Sequence, residues 1–389
     1  MILTYHAESA AHRVRARARQ IHPEIITHAQ TPLAELLETL PVLSKADLAR
    51  HLPSDDRWLE TAVLFSETSG TTGQPLQTPR GAGDLAWNAI NQATAYRRFL
   101  QPGVDRVAIL HPSILSPFIE ASSIALRELS IGQVRVFPIP RVCDYRRIFE
   151  VMDRYQITTV MSTPSLVYKL LYEFAKLGEA QSPRSMKKLL LTGEALSPSS
   201  IRNFKKIIGP DSLVTPFVYG SSEAATLMLG REDGLFDPVL DDFVFELRGS
   251  DEDDGKKLIV TWLREGLMPI LRYDTGDYFE IVPANSLALR FLGRIGSNSG
   301  ERRFRSKVEE AVHSLDKPVF HYQGTFSEAN RQLNVSVVVA QSDATTKYAL
   351  EAKLRECLPS WQATVNVNPE PIEFTQFSPA PKTGKLTSC

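Results

Sequence analysis

The stretch Ser66–Arg80 reads SETSGTTGQPLQTPR and concentrates serine, threonine and glycine in one turn. It follows Thr61–Phe65, a short apolar run that predicts a buried strand. Glycines let backbone N–H groups approach oxygen atoms closely, and hydroxyl groups add further donors. Such a turn suits a polyphosphate, although an ordinary surface loop has the same composition. No Lys-Ser/Thr pair follows the glycines, so the stretch is not a P-loop.

Strands and helices alternate after this turn, whereas residues up to about Pro53 have the spacing of helices. Alternation of this kind predicts a mostly parallel sheet that helices cover on both faces, with ligands beyond the carboxyl ends of the strands. The candidate strands are Val107–Leu110, Val134–Phe137, Thr158–Met161, Lys188–Leu191 and Leu213–Val218.

The pattern changes to short β runs between Phe243 and Phe291, which predicts a small antiparallel β subdomain. Gly293–Gly300 reads GRIGSNSG and is a hinge candidate, and a compact unit of helices and strands follows it. The predicted fold class is therefore α/β. We predict a large N-terminal domain, residues 1–293, and a small mobile α+β C-terminal domain, residues 294–389.

The composition is that of a globular protein, with 43% hydrophobic and 23% charged residues among 389. The net charge of −1 provides no general attraction to nucleic acid or to a membrane, so we expect neither as a partner. No apolar run approaches the roughly 18–20 residues that cross a bilayer. Three separated cysteines, Cys143, Cys357 and Cys389, have no metal-ligand spacing and favour a reducing, cytoplasmic location.

The four arginines near the N-terminus alternate along the chain, a pattern that predicts one solvated helix end. They are Arg13, Arg15, Arg17 and Arg19.

Five short motifs occur in a fixed order along the chain. They are SGTTG at Ser69–Gly73, TGEAL at Thr192–Leu196, YGSSE at Tyr219–Glu223, YDTGD at Tyr273–Asp277 and PKTGK at Pro381–Lys385. Together the motifs resemble those of the adenylate-forming (acyl- and aryl-CoA ligase) superfamily. The stretch PVLSKADL at Pro41–Leu48 is similar to the lead-in of the short phenylacetate-CoA ligase-like branch.

The resemblance implies that ATP activates a carboxylic acid as an acyl-AMP, with release of pyrophosphate, and that the acyl group then passes to a thiol. Oxide is a poor leaving group, whereas AMP is a good one, so adenylation makes the carboxylate reactive. The implied cofactors are ATP and Mg²⁺, with CoA as a possible co-substrate. A swing of the C-terminal domain between the two half-reactions is also implied.

The resemblance also assigns roles to residues. Tyr219 would stack on adenine, Asp277 would accept hydrogen bonds from the ribose, Glu223 would bind Mg²⁺, and Lys385 would stabilise charge at the reacting α-phosphate. The ordinary alternatives are a core tyrosine, a turn aspartate, a surface glutamate and a solvated lysine. The implied nucleotide-binding set is Thr68, Ser69, Gly70, Thr71, Thr72, Gly73, Gly193, Glu194, Ala195, Tyr219, Gly220, Ser221, Ser222, Asp277 and Arg294.

Candidate substrate contacts follow strands of the predicted sheet and are mostly apolar, which indicates a small, aromatic or hydrophobic acid. Each of them is equally compatible with a place in the core. They are His111, Phe118, Phe217, Val218 and Met228.

The chain departs from the family pattern in three places. Gln74–Gln77 replaces a lysine that often follows the loop, so Arg80 is a candidate for the missing charge. The segment after Arg294 and the terminal motif are both shortened. The expected acceptor is a thiol, of CoA or of an acyl carrier protein. One alternative is an amide-forming ligase, whose acceptor is an amine, and a second is a non-catalytic nucleotide-binding module of the same fold.

A basic cluster follows the hinge candidate and bears on the acceptor. It is either a solvated helix start or a seat for CoA phosphates or for an acidic carrier protein. On the second interpretation we predict a thiol acceptor rather than an amine. The cluster consists of Arg302, Arg303, Arg305 and Lys307.

Overall fold

The structure is a computed structural model. It describes residues 1–25, 28–51, 57–68, 75–111, 116–139, 141–178, 182–249, 255–283, 287–294, 299–340, 344–368 and 385–388. The chain divides into two compact units. The first unit comprises Met1–Leu100, Ser113–Ser130 and Phe217–Gly296, and the second comprises Gln101–Pro112, Ile131–Pro216 and Ser297–Cys389. The domain boundary between residues 293 and 294 stays a prediction.

The described part of the chain contains eleven α-helices. They are α1 (Ala7–Ile21), α2 (Leu33–Thr39), α3 (Lys45–His51), α4 (Arg57–Thr61), α5 (Ala82–Arg97), α6 (Pro117–Glu128), α7 (Tyr145–Arg154), α8 (Pro164–Lys176), α9 (Pro198–Ile208), α10 (Ser299–His313) and α11 (Ala344–Cys357). None of these helices is both long enough and apolar enough to cross a membrane.

The strands among the described residues number nineteen. They are β1 (Ile2–Leu3), β2 (Ala62–Leu64), β3 (Arg80–Gly81), β4 (Arg106–Ile109), β5 (Gly132–Arg135), β6 (Thr159–Ser162), β7 (Lys188–Leu191), β8 (Leu213–Pro216), β9 (Val218–Ser221), β10 (Ala225–Gly230), β11 (Phe236–Pro238), β12 (Phe243–Arg248), β13 (Lys256–Trp262), β14 (Tyr273–Val282), β15 (Ala288–Arg294), β16 (Val319–Ser327), β17 (Gln332–Val339), β18 (Gln362–Val367) and β19 (Lys385–Ser388).

The second unit contains a five-stranded sheet in the order β5-β4-β6-β7-β8, and every pair in it is parallel. Its strands and the helices α7, α8 and α9 share one apolar core. Proline begins α8 and α9, after the capping residues Thr163 and Ser197. A side-chain oxygen before a first-turn proline is a strong start signal for a helix, so the local sequence explains where both helices begin.

The first unit contains an eight-stranded antiparallel sheet in the order β1-β12-β13-β14-β15-β11-β10-β9. Large side chains from its strands, including Phe243, Phe245, Trp262 and Phe279, form the core of this unit. The α/β fold class is confirmed, and the antiparallel part is larger than expected because β1 and β9–β11 join it. The predicted strand Leu213–Val218 is divided, since β8 ends at Pro216 and β9 lies in the antiparallel sheet.

The strand before the Ser/Thr/Gly turn is present, but the prediction that it is buried is wrong. β2 pairs with β3 in a two-stranded ribbon of the first unit. Val63 is 59% exposed and Phe65 is 54% exposed. The apolar composition of this run reflects a ribbon with exposed side chains rather than a core strand.

Arg17 corrects the expectation that the alternating arginines of α1 are all solvated. Its side chain is 8% exposed, and the guanidinium donates to the carbonyls of Ile270 (3.2 Å), Arg264 (3.2 Å) and Met268. It also lies 5.4 Å from the Trp262 ring centroid. Burial lowers the pKa of Arg17 to about 10, against the attraction of Asp84 and Glu265. One arginine of the four therefore attaches α1 to the chain between β13 and β14.

We expect Arg17→Ala to lower the free energy of unfolding by about 1.5–3 kcal/mol, because buried carbonyls lose a charged donor. Arg13→Ala is the matched control, since Arg13 is on the same helix but exposed. Urea unfolding of both variants measures the difference. Equal stabilities of the two variants would contradict a structural role for Arg17.

The described residues from Ser299 onward form a four-stranded sheet, in the order β18-β17-β16-β19, with α10 and α11. Polar side chains of α9 contact this segment within the second unit. Asn203 exchanges two hydrogen bonds with the backbone of Val319, at 2.6 and 3.0 Å, and Lys206 donates to the His313 carbonyl at 2.8 Å. The α+β character of the C-terminal segment is confirmed, whereas its mobility stays a prediction.

Candidate functional site

The Ser/Thr/Gly turn is closed at its base by a short ladder in the first unit. Thr68 donates its backbone N–H to Leu76 O at 2.9 Å, and its hydroxyl oxygen accepts the Leu76 N–H at 3.0 Å. Glu67 and Gln77, the next pair away from the loop, form an antiparallel β-bridge. The described residues on either side of the loop motif are thus joined by hydrogen bonds. The predicted phosphate-binding residues Ser69, Gly70, Thr71, Thr72 and Gly73 lie outside the described residues.

The YGSSE motif forms β9 and the turn after it, rather than a simple loop beyond a parallel strand. A Cβ atom on Gly220 would lie 2.0 Å from the Ala225 carbonyl oxygen, so only glycine fits there. Ser221 Oγ accepts the Ala224 N–H at 3.1 Å. Ser221 and Ser222 are half-buried, and Glu223 is 5% exposed.

Arg80 lies beneath this turn and is 1% exposed. Its guanidinium donates to the carbonyls of Ser222 and Glu223, the latter at 3.1 Å. Trp262 donates its indole N–H to Ala224 O at 3.0 Å. Burial lowers the pKa of Arg80 to about 10, against the attraction of Asp84 and Glu223. The structure therefore does not place Arg80 as an exposed substitute for the missing loop lysine; it fixes the backbone that carries Glu223.

The Glu223 carboxylate has two neighbours that the sequence analysis did not assign to the site. Tyr273 donates its hydroxyl to Oε1 at 2.7 Å, and Lys45 Nζ lies 3.7 Å from the same oxygen. Leu43 forms a parallel bridge with Tyr273, and Ser44 exchanges capping hydrogen bonds with Asp47 at the start of α3. These contacts fix the position of Lys45. The signals were present, since Lys45 lies in PVLSKADL and Tyr273 begins YDTGD.

The surroundings of Glu223 suit a magnesium ion that is bound mainly by the phosphates of a nucleotide. Mg²⁺ keeps several waters and binds through one or two carboxylates together with substrate phosphates. Glu223 is one such buried carboxylate, and the residues that the structure describes contain no group of three or more His, Cys, Asp or Glu side chains that could hold a metal ion. The residues present suit an ion that arrives with a nucleotide rather than a site that holds metal alone. Binding of Mg²⁺ by Glu223 stays a prediction.

Asp277 forms a second buried carboxylate site in the same unit. Tyr219 donates its hydroxyl to Oδ2 at 2.7 Å, and Arg294 Nε donates to Oδ1 at 3.1 Å. Asp277 is 5% exposed, and burial raises the pKa of its carboxyl group, against the attraction of Arg294. The register of β14 and β15 pairs Asp277 with Arg294 directly. Two members of the predicted nucleotide-binding set are therefore brought together.

Tyr219 itself is packed as a core residue. It is 9% exposed, and its ring centroid lies 4.8 Å from Phe279, 5.4 Å from Phe291 and 6.2 Å from Phe236. Burial and the Asp277 carboxylate raise its pKa well above the usual value. The core alternative describes its surroundings, and stacking on adenine stays a prediction.

The apolar substrate candidates of the first unit lie in or beside the core. Phe217 is fully buried and contacts the rings of Tyr96 (4.9 Å) and Phe118 (6.0 Å). Val218 and Met228 are also buried. In the second unit, His111 is half-buried just after β4. Phe118 on α6 is half-buried, whereas Phe217, Val218 and Met228 are buried, so Phe118 is the apolar candidate whose side chain is partly accessible.

The TGEAL motif follows β7, at the carboxyl end of the parallel sheet. Gly193 has φ +79°, a conformation that favours glycine. Glu194 Oε2 accepts from the backbone N–H (3.2 Å) and the hydroxyl (2.6 Å) of Ser165, in the first turn of α8. Glu194 therefore stabilises the N-terminus of α8. Gly193 and Ala195 are exposed beside it.

Lys385 begins β19 and pairs with Gln323 of β16. Its side chain is exposed, and the preceding residues of its motif, 381–384, lie outside the described residues. In the basic cluster, Arg305 donates to Glu301 and lies 5.6 Å from the Phe326 ring, whereas Arg303 and Lys307 are exposed. The cluster thus offers less exposed charge than its composition indicates.

Comparison with known proteins agrees with these motifs. The family model described as AMP-binding enzyme matches residues 1–241. Phenylacetate-coenzyme A ligase of Escherichia coli (strain K12) is 23% identical over 341 residues, which cover 82% of this chain and 76% of that protein.

Two solved structures have a similar fold. A 2-hydroxyisobutyryl-CoA ligase in the postadenylation state, in complex with its acyl-AMP, is 15% identical. The match has a TM-score of 0.76 and covers 100% of this chain and 91% of the other. An amide bond synthetase from Marinactinospora thermotolerans is 17% identical, with a TM-score of 0.51, covering 82% of this chain and 67% of that one.

Proposed function

Since the chain belongs to the AMP-binding enzyme family, we propose that it activates a small, aromatic carboxylic acid as an acyl-AMP and passes the acyl group to a thiol. The chain is an adenylate-forming ligase of the carboxylate-CoA ligase type. The observation that carries the proposal is the pair of buried carboxylates, Glu223 and Asp277, in two of the family motifs. Each carboxylate accepts a tyrosine hydroxyl and lies near a cation.

In the first half-reaction, a carboxylate oxygen of the acid attacks the α-phosphorus of ATP. The bond to the bridging oxygen breaks, and pyrophosphate leaves. Asp277 and Arg294 bind the ribose, the Ser/Thr/Gly loop binds the β- and γ-phosphates, and Lys385 stabilises charge on the α-phosphate. Glu223 would hold Mg²⁺, which would supply positive charge to neutralise the phosphates.

In the second half-reaction, the thiol sulfur attacks the acyl carbonyl carbon and AMP leaves with the bonding electron pair. The thiol proton passes to solvent or to a base. CoA and an acyl carrier protein both present such a thiol. An aromatic acid is proposed because half-buried Phe118 lies beside Phe217 and because the chain is similar to a phenylacetate-coenzyme A ligase.

Acid-dependent exchange of labelled pyrophosphate into ATP tests the first half-reaction. A panel should pair aryl acids with short aliphatic and hydroxy acids of similar size. We expect exchange with at least one aryl acid, in a Mg²⁺-dependent manner. Nucleotide binding without exchange for any acid would favour a non-catalytic nucleotide-binding module instead.

The acceptor can be tested separately by reversing the charge of Arg303 and Lys307, the two exposed members of the basic cluster. We expect Arg303→Glu with Lys307→Glu to slow transfer from preformed acyl-AMP to CoA or to a carrier protein by about tenfold, because complementary charge accelerates encounter. Pyrophosphate exchange should be unaffected. If the acyl group passed only to amines, at a rate that the charge reversal did not change, the amide-forming alternative would be favoured.

A further inference from the structure

Tyr273 has no role in the reaction as proposed, yet it connects three parts of the first unit. Its backbone forms the bridge to Leu43, its ring belongs to the apolar core, and its hydroxyl contacts Glu223. The side chain is 3% exposed. A buried phenol normally finds an acceptor, but here the acceptor is the carboxylate assigned to the metal ion.

The contact is confined to one carboxylate oxygen. Among the described residues, the Tyr273 hydroxyl donates to Oε1 at 2.7 Å, Lys45 Nζ lies 3.7 Å from the same oxygen, and no side chain donates a hydrogen bond to Oε2. The terminal torsion of glutamate is broad and roughly two-fold, so an unrestrained carboxylate exchanges its oxygens readily. A hydrogen bond from a fixed phenol to Oε1 removes that freedom, and Oε2 is left in one place.

The backbone of the motif is restrained independently of this contact. Arg80 donates to the Ser222 and Glu223 carbonyls, and Trp262 donates to Ala224. The position of the Glu223 backbone therefore does not depend on the Tyr273 hydroxyl. What the hydroxyl adds is a restraint on the orientation of the carboxylate group, at 2.7 Å, beside the longer contact of Lys45 at 3.7 Å.

We propose that Tyr273 is the positioning residue of the metal site: by holding Glu223 Oε1, it presents Oε2 to the divalent cation that accompanies ATP. The inference rests on the proposed function. Hydrogen bonds that orient metal ligands typically affect metal affinity or activity by about 10- to 100-fold. The conservative change Tyr273→Phe keeps the buried ring and removes only the hydroxyl.

Tyr219→Phe is the matched comparison, because Tyr219 makes the same kind of contact to Asp277, at the same distance of 2.7 Å. Two measurements distinguish the effect of the Tyr273–Glu223 contact from that of the Tyr219–Asp277 contact. Electron paramagnetic resonance of Mn²⁺ in the presence of ATP measures metal affinity, and calorimetry of AMP in EDTA measures nucleotide binding without metal.

We expect Tyr273→Phe to weaken Mn²⁺ binding with ATP by about 10- to 100-fold and to leave AMP affinity in EDTA unchanged. Tyr219→Phe should instead weaken AMP binding. Mn²⁺ binding by Tyr273→Phe that equals wild type would overturn the positioning role, as would an equal loss in both measurements. Failure of the wild-type protein to bind ATP or AMP at all would overturn the proposed function itself.

Discussion

Lys385→Ala is expected to reduce the rate of acyl-AMP formation by about 10²–10³-fold, the usual effect of removing one group that stabilises charge in a transition state. Lys385 begins β19, and its exposed side chain is the cation of the terminal motif. The substitution should leave the reaction of supplied acyl-AMP with its acceptor close to the wild-type rate. That reaction needs no charge stabilisation at an α-phosphorus under attack.

The two half-reactions are measured separately, by pyrophosphate exchange and by transfer from synthetic acyl-AMP. The fold should survive, because β19 pairs with β16 through the backbone and the Lys385 side chain is exposed. Lys347→Ala is the matched control, since Lys347 is an exposed lysine of α11 in the same segment. Near-normal exchange in Lys385→Ala would exclude the catalytic role.

The elements that the sequence predicts well are those whose signals are local. β7 has the predicted bounds, Lys188–Leu191, and α9 begins at Pro198, directly after its capping residue Ser197. A short apolar run defines the strand, and Ser197 before Pro198 defines the helix start. Such features depend on neighbouring residues only, so one sequence is sufficient to place them.

The arrangement of the antiparallel sheet and the burial of two arginines could not be predicted in this way. Arg17 and its acceptor Ile270 are 253 residues apart, and Arg80 is 142 residues from Ser222. A periodic pattern on a helix does not indicate which distant backbone meets it. The same holds for the strand β1, which extends the sheet by pairing with β12.

The candidate site shows the same limit. The motifs contain both carboxylates, Glu223 and Asp277, because family resemblance follows residue types in order. The hydrogen-bond partners of these carboxylates could not be predicted in the same way. Tyr273 lies 50 residues from Glu223 along the chain, and Tyr219 lies 58 residues from Asp277. Only the folded β9 and β14 bring each phenol to its carboxylate.

Asp277→Ala is expected to weaken ATP and AMP binding by about 10- to 150-fold, which corresponds to the 1.5–3 kcal/mol of hydrogen bonds to a charged group. Asp277 already holds Tyr219 and Arg294, so its removal also leaves a buried phenol and a guanidinium without their acceptor. A loss of stability would accompany the loss of affinity in this variant.

Asp277→Asn separates the two effects. The amide keeps the shape of the carboxylate and one oxygen that accepts from the Tyr219 hydroxyl, so the fold should be less affected than in Asp277→Ala. It lacks the negative charge and the second acceptor that two ribose hydroxyls require. We therefore expect the two variants to differ in thermal unfolding but to share most of the loss in nucleotide affinity measured by calorimetry. Wild-type affinity in Asp277→Asn would show that Asp277 is a structural residue that anchors Tyr219 and Arg294, and not a ribose ligand.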